Sequence, residues 1–263
     1  KNNFFDYSWL EFAYIKEFLI NYKLSPSDMN TFISDPNEFL TRVVFKYPFV
    51  DNEYTIFWKV YHRTLELFYL KYKSELKLPK KSYLIDTFSV LLKKELLTTK
   101  EFDKLLEKWT SWLSWYFDLY STNFKEPLML EYSFRRKNIL FEWIPITWTI
   151  DKIEKLWDIT PDNSQEWQLA FFKESVALID YKTWKTKSIN QIKWLDRYWN
   201  KKDWEWNYLR QIMFYKLLCE LDPEFTSRFE IWNLSIDFAE GKDNIYKTID
   251  VEFTNEEYEE FKL

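Results

Sequence analysis

The sequence predicts an α/β (α+β) fold with a helical first half and a strand-rich second half. Three observations lead there. Apolar residues recur three and four apart through the first 120 or so positions, the period of an amphipathic helix. From about Leu128 the pattern shortens into β-rich runs separated by turn-like residues. The stretch Val176, Ala177, Leu178, Ile179 is continuously apolar, as suits a strand covered on both faces. With 46% hydrophobic and 30% charged residues, the 263 positions suffice for one large domain, or for a core plus a helical subdomain.

Taken in order, residues 7–22 carry Leu10, Ala13, Tyr14, Phe18 and Leu19 at helical spacing. Ser25-Pro26-Ser27-Asp28 is a helix start, a capping residue followed by Pro in the first turn. Asp35-Pro36 opens another short helix by the same logic, running toward Phe45. Helices are expected over 57–73, 83–97 and 100–120. Strands are expected over 129–134, 139–146 and 147–153. A polar stretch from Asp158 to Gln168 precedes the buried strand 175–182. Residues 205–220 return to helix, 230–238 and 246–253 read as strands, and Thr254 with Glu257 forms a capping box for a terminal helix. No internal repeat or low-complexity tract is present. The division expected is 1–125 as a helical part and 126–263 as a core, together one module.

Composition narrows the function classes. No apolar run approaches the roughly 18 residues that span a bilayer, so no membrane association is expected. The start lacks a signal-peptide pattern and also lacks Met, which suggests a piece of a longer protein. Cys219 is the sole cysteine; it excludes an internal disulfide or a cysteine-held iron–sulfur cluster within this chain and suits a reducing cytoplasm. The net charge of −5 speaks against a uniformly basic nucleic-acid binder, yet a local basic groove can coexist with an acidic total. One count is abnormal: a single Gly, Gly241, beside 15 Trp, where about 18 glycines are usual. Trp204 and Trp206 fall in a run (201–207) that reads as an exposed turn, where bulky indoles gain almost no burial. The excess is explained if the source organism reads UGA as glycine and the gene was translated with UGA as Trp. A genuinely Trp-rich protein is the alternative.

Four short segments carry chemistry when taken together. Asp180 and Lys182 stand two apart at the end of the buried strand, so their side chains share a face. A carboxylate there can bind a hard cation, and a lysine can orient water or neutralise developing phosphate charge. Asp151 lies between apolar positions Ile150 and Ile153. His62 is the only histidine, on a helix. Gln211 and Tyr215 share a helix face at i, i+4. Each piece alone has an ordinary explanation: a surface ion pair, a turn acid, a structural histidine.

In order and spacing, however, these segments resemble the RecB-type exonuclease domain of bacterial recombination helicase–nucleases, in the PD-(D/E)XK nuclease superfamily. That family shows a Gly-x-x-x-His helix, a Gly-x-Ile-Asp-x-Ile strand, an Asp-Tyr-Lys-Thr-Gly strand and a Gln-x-x-x-Tyr helix. This chain matches at His62, Asp151, Asp180, Lys182, Gln211 and Tyr215. Leu24-Ser25-Pro26-Ser27 and Asp35-Pro36 also resemble the family's opening, with Asp35 in place of a cluster cysteine. The resemblance covers roughly residues 24–220. It implies a restriction-endonuclease-like core, a central mixed β-sheet flanked by helices, with an N-terminal helical subdomain. It further implies that His62, Asp151, Asp180 and the Tyr181 backbone carbonyl hold Mg²⁺ or Mn²⁺, with no iron–sulfur cluster. Asp151, Asp180 and Lys182 would be catalytic, Gln211 and Tyr215 would support the site and touch DNA, and Glu131 would be an accessory acid. The implied activity is phosphodiester hydrolysis of DNA, as an exonuclease acting on single strands in repair or recombination. No nucleotide-binding loop is present, so a helicase partner would lie in another domain or subunit.

Where the family has glycine this chain has Trp58, Trp148 and Trp184, which agrees with the recoding idea. Two rival functions remain: a catalytically inactive DNA-binding or scaffold domain of the same fold, and a helical interaction protein whose motif matches are accidental. Sequencing the gene tests the recoding directly. UGA codons are expected at Trp58, Trp148 and Trp184, and UGG at all three would sink the idea.

Overall fold

A computed structural model describes residues 9–48, 51–156, 173–183, 186–193, 207–240 and 245–263. The N-terminal segment forms helices α1 (Trp9–Asn21), α2 (Pro26–Ser34) and α3 (Pro36–Phe39), the last continuing as a π-turn over Leu40–Val44. The two starts read from the sequence are present as caps. Ser25 accepts from the Asp28 N–H, and Asp35 accepts from the N–H groups of Asn37 and Glu38, each with Pro in the first turn. Three longer helices follow: α4 (Glu53–Glu75), α5 (Lys81–Leu92) and α6 (Thr99–Tyr120). Asn52 caps α4 through the Tyr54 and Thr55 N–H groups, and a Thr98–Glu101 capping box starts α6. Helix α5 ends at Leu92, short of the expected 97, where the Lys94 and Glu95 N–H groups bond only three residues back, to Leu91 and Leu92.

The second half supplies a five-stranded mixed sheet. Its strands are β1 (Pro127–Ser133), β4 (Thr149–Lys155), β5 (Glu174–Lys182), β6 (Phe229–Glu240) and β7 (Ile245–Asp250), ordered β1-β4-β5-β6-β7. Only the β5–β6 pair is parallel; the other neighbours are antiparallel. Residues 139–146, expected as one strand, are instead a hairpin of β2 (Ile139–Phe141) and β3 (Ile144–Ile146). The break falls at Glu142–Trp143, with Glu142 at φ 54, a left-handed turn made without the Gly or Asn that usually announces one. Leu24 exchanges hydrogen bonds with Pro145 and Thr147, tying the N-terminal segment to β3. A short helix α7 (Ile189–Ile192), the core helix α8 (Asn207–Leu221), α9 (Pro223–Arg228) and α10 (Asn255–Lys262) complete the fold. The Thr254–Glu257 capping box stands at the start of α10.

Strand alternation sorts β5 between two cores. Val176 and Leu178 pack with α8 and the hairpin, against Ile212, Met213 and Phe214. Ala177, Ile179 and Tyr181 face the other way, against Phe57, Tyr61, Phe68 and Trp112 of α4 and α6. The sheet is thus sandwiched between helical layers, and α4 lies directly over it. Among the described residues no helix is long and apolar enough to cross a membrane.

The tryptophans divide by burial. Trp109 stacks on Phe57 with centroids 3.5 Å apart, and Trp112 is 0% exposed against Tyr116. Trp143, on the hairpin tip, is 78% exposed. Trp204 and Trp206, and their expected turn, lie outside the described residues. Trp112→Gly should therefore cost about 4 kcal/mol or more, a core cavity plus a helix-interior glycine. Trp143→Gly should stay within about 0.5 kcal/mol of the parent. Urea denaturation of both variants measures the contrast.

Candidate active site

Asp180 and Lys182 leave β5 on the face opposite Tyr181, toward α8. Asp180 is 2% exposed, and its Oδ2 is buried without a hydrogen-bond partner. Its Oδ1 accepts from Tyr215 Oη at 2.7 Å and from Gln211 Nε2 at 2.8 Å, and its Oδ2 lies 2.8 Å from Lys182 Nζ. Lys182 Nζ also donates to Gln211 Oε1 at 3.0 Å. The i, i+4 pair on α8 thus holds the acid and the lysine together, as its spacing allows. Trp148 Nε1 donates to Tyr215 Oη at 3.1 Å and closes the network.

Asp151 approaches from β4. The β4–β5 ladder stops at Lys152↔Ile179, and beyond it Asp151 Oδ2 accepts the Tyr181 backbone N–H at 2.7 Å. A side chain therefore stands in for the next ladder partner, and the strands separate around it. His62 arrives from α4, its Nδ1 3.7 Å from the same Oδ2. Its other ring nitrogen, Nε2, is buried without a hydrogen-bond partner. Trp58, one turn earlier on α4, packs over the imidazole with centroids 4.5 Å apart, and Tyr181 meets it edge-on at 5.7 Å. Tyr181, whose carbonyl is an expected ligand, sits between the two arms of the site.

One ligand atom each from His62, Glu131 and Asp151 lie within 4.8 Å of one another. His62, Glu131, Asp151, Asp180, Lys182, Gln211 and Tyr215 all line one cavity of about 660 Å³. The expected residues, drawn from α4, β1, β4, β5 and α8, are brought together. Trp58 and Trp148 lie on the same wall, whereas Trp184 is outside the described residues. The cavity also contains Lys59, Arg63 and Arg135, which the motifs did not single out. Their signal was present: Lys59 and Arg63 are i, i+4 on the His62 helix, and Arg135-Arg136-Lys137 is a basic turn. Lys59 pairs with Glu95 at 2.7 Å and Arg63 with Glu66 at 2.5 Å, so these cations stand among acids.

Burial sets the electrostatics. It pushes the Asp151 carboxyl up to about 6, against the opposing pull of Lys182 and the Tyr181 N–H. Asp180 is raised by burial too, again opposed by Lys182. Glu131 is pushed up to about 8, first by burial and then by the charges of Asp151 and Glu66. His62 is pushed down to about 4 by burial, helped by Lys182. The imidazole is therefore neutral at pH 7, and its contact with Asp151 is no ion pair. A neutral imidazole beside crowded carboxylates is the protonation state a metal ligand needs.

No protein-family model matches this chain, and no curated protein matches it.

A sign follows for pH-dependent stability with divalent cations chelated. Raised carboxyl values mean the folded state binds more protons than the unfolded one, so Glu131 and Asp151 destabilise the fold as pH rises. His62 has the opposite sign, but only below its unfolded value near 6.5. Between about pH 6.5 and 8, Glu131 dominates among these three groups. The melting temperature should fall across that window, and Glu131→Gln should flatten the fall.

Proposed function

We propose that this protein is a metal-dependent deoxyribonuclease of the PD-(D/E)XK type, with the restriction-endonuclease-like core that such an activity uses. One observation carries the proposal. His62, Asp151, Asp180 and Lys182, spread over some 120 positions, line a single cavity together with the Gln211–Tyr215 pair. Side-chain matches to a sequence motif gain weight when folding gathers them.

The residues fit a divalent cation. His62 Nδ1 faces Asp151 Oδ2 at 3.7 Å, His62 Nε2 and Asp180 Oδ2 are buried without hydrogen-bond partners, and burial raises the Glu131 and Asp151 carboxyls. His62 and Asp151, with Asp180 and the Tyr181 carbonyl beside them, would hold Mg²⁺ or Mn²⁺, as mostly oxygen donors favour. Such a cation polarises a phosphodiester and acidifies a water.

The chain's own groups account for the rest. Lys182, positioned by Asp180 and Gln211, can donate to the attacking water or to a phosphate oxygen as charge develops. Tyr215 and Gln211 fix the Asp180 carboxylate, so its orientation does not depend on substrate. Lys59, Arg63 and Arg135 offer cationic contacts to the DNA backbone. A helicase in another domain or subunit would deliver single strands to this cavity.

Labelled single-stranded DNA tests the proposal, using the chain as written beside the Trp58→Gly, Trp148→Gly, Trp184→Gly protein. Mn²⁺- or Mg²⁺-dependent cutting is expected, abolished by Asp180→Ala and slowed about 10²–10³-fold by Lys182→Ala. DNA binding without cutting, by a folded protein that binds metal, would favour the inactive DNA-binding or scaffold reading.

A further inference from the structure

We propose that Arg135 and the hydroxyl of Ser133 anchor a phosphate of the DNA strand beside the one that is cleaved. The proposal deepens the nuclease reading, on which it rests.

The cations along the cavity wall are not equivalent. Lys59 pairs with Glu95 at 2.7 Å, Arg63 with Glu66 at 2.5 Å, and Lys182 with Asp180 at 2.8 Å. Among the described residues the Arg135 side chain makes neither an ion pair nor a hydrogen bond. It is exposed, and its guanidinium fork is open to a planar or tetrahedral anion. Glu66, Glu131, Asp151 and Asp180 stand on the same wall. A polyanion entering there meets repulsion, so an uncommitted cation at the rim decides whether it enters.

The backbone beneath this free side chain is fixed. Phe134, the residue before it, is fully buried, and its N–H donates to Trp148 O at 2.8 Å. The Lys137 N–H closes the turn onto Phe134 O at 3.0 Å. Lys23 Nζ donates to the carbonyls of Arg135 at 3.1 Å and Lys137 at 2.9 Å. The Lys137 ammonium is gripped in turn by Asp222, Glu224 and Tyr132. The turn is thus tied to the N-terminal segment on one side and to the start of α9 on the other. Little backbone order remains to be lost when its arginine binds.

Ser133 supplies the second donor. Its Oγ accepts from Thr149 Oγ1 at 3.2 Å and from the Arg135 N–H at 3.4 Å. With both acceptor positions used, its own O–H hydrogen is left to donate. Ser133 and Thr149 are paired across β1 and β4 and both line the cavity. They lie two positions beyond Glu131 and Asp151, about 7 Å along the strands. A phosphate held there belongs to a nucleotide next to the one that the acids and Lys182 address.

A fluorescent single-stranded oligonucleotide is the probe, its binding read by anisotropy in EDTA so that nothing is cut. The full chain is compared with Arg135→Gln, Arg135→Lys, Ser133→Ala and Arg63→Gln. These side chains are all exposed, and melting temperatures check that each variant is folded. Arg135→Gln should bind about tenfold more weakly, with a salt dependence of log affinity shallower by about 0.7. Arg135→Lys should keep the salt dependence and lose part of the affinity, because the charge stays and the fork goes. Ser133→Ala should weaken binding at unchanged salt dependence. Arg63→Gln should alter both little, since Glu66 already holds that charge. Oligonucleotides with one phosphate made a neutral methylphosphonate locate the contact. One such change should weaken the parent and leave Arg135→Gln unaffected. With Mn²⁺ present, Arg135→Gln should raise KM about tenfold and spare kcat.

Parent-like affinity and salt dependence in Arg135→Gln overturn the anchor; cutting by the parent then leaves the nuclease reading standing. A parent that binds no single strand overturns the anchor as well. Binding that depends on Arg135, in a parent that cuts nothing with Mn²⁺, upholds the anchor and removes the nuclease reading.

Discussion

The hydrogen bond from the Tyr181 N–H to Asp151 Oδ2 is the contact on which the site depends. It lies where the β4–β5 ladder ends, and it replaces a main-chain partner with a carboxylate. Without it a buried N–H would be orphaned, at a cost of about 1–3 kcal/mol. With it, Asp151 is held between β5, which carries Lys182, and His62 of α4, whose Nδ1 lies 3.7 Å from the same oxygen. The same contact pins an acid in a place that burial makes expensive. Stability and chemistry are therefore in tension at one atom.

The rear of the fork is polar as well. Alternation along β4 and β5 sends Lys152 and Tyr181 to the face away from Lys182 and Asp180. There Lys152 pairs with Glu154 at 2.7 Å and lies over the Tyr69 ring. Asp237 on β6 accepts from Tyr246 and Thr248. These charges are buried yet partnered, the condition under which an interior tolerates them. Side chains on both faces of the same strands are thus held in place, so the acids between them have little room to turn.

Much of this was legible before the structure. Ser25-Pro26, Asp35-Pro36 and the Thr254–Glu257 box announced helix starts because caps are local chemistry. The unbroken apolar run of β5 announced a doubly covered strand. The π-turn after Phe39 and the break at Glu142–Trp143 were not legible, because neither carries a residue that favours the turn it makes. The Asp151–Tyr181 contact was invisible for a different reason: it joins positions 30 apart, and no periodicity encodes it. Glu131 was legible as an accessory acid through the resemblance, but its backbone was not, since a left-handed φ leaves no mark on a glutamate. The tryptophans show composition and structure answering together. Trp109 and Trp112 fill a core that would be hollow without them, while Trp143 and Trp58 stand where no core requires an indole.

The single parallel pair, β5–β6, has a consequence for the order of assembly. Parallel neighbours need a long crossover, and here α8 lies within that connection. The imidazole, the first acid and the second acid leave the ribosome well before the helix that orders Asp180 and Lys182. A nascent chain thus carries every candidate ligand while lacking the clamp that aligns them. The alignment of Asp180 and Lys182 therefore waits until the crossover has docked.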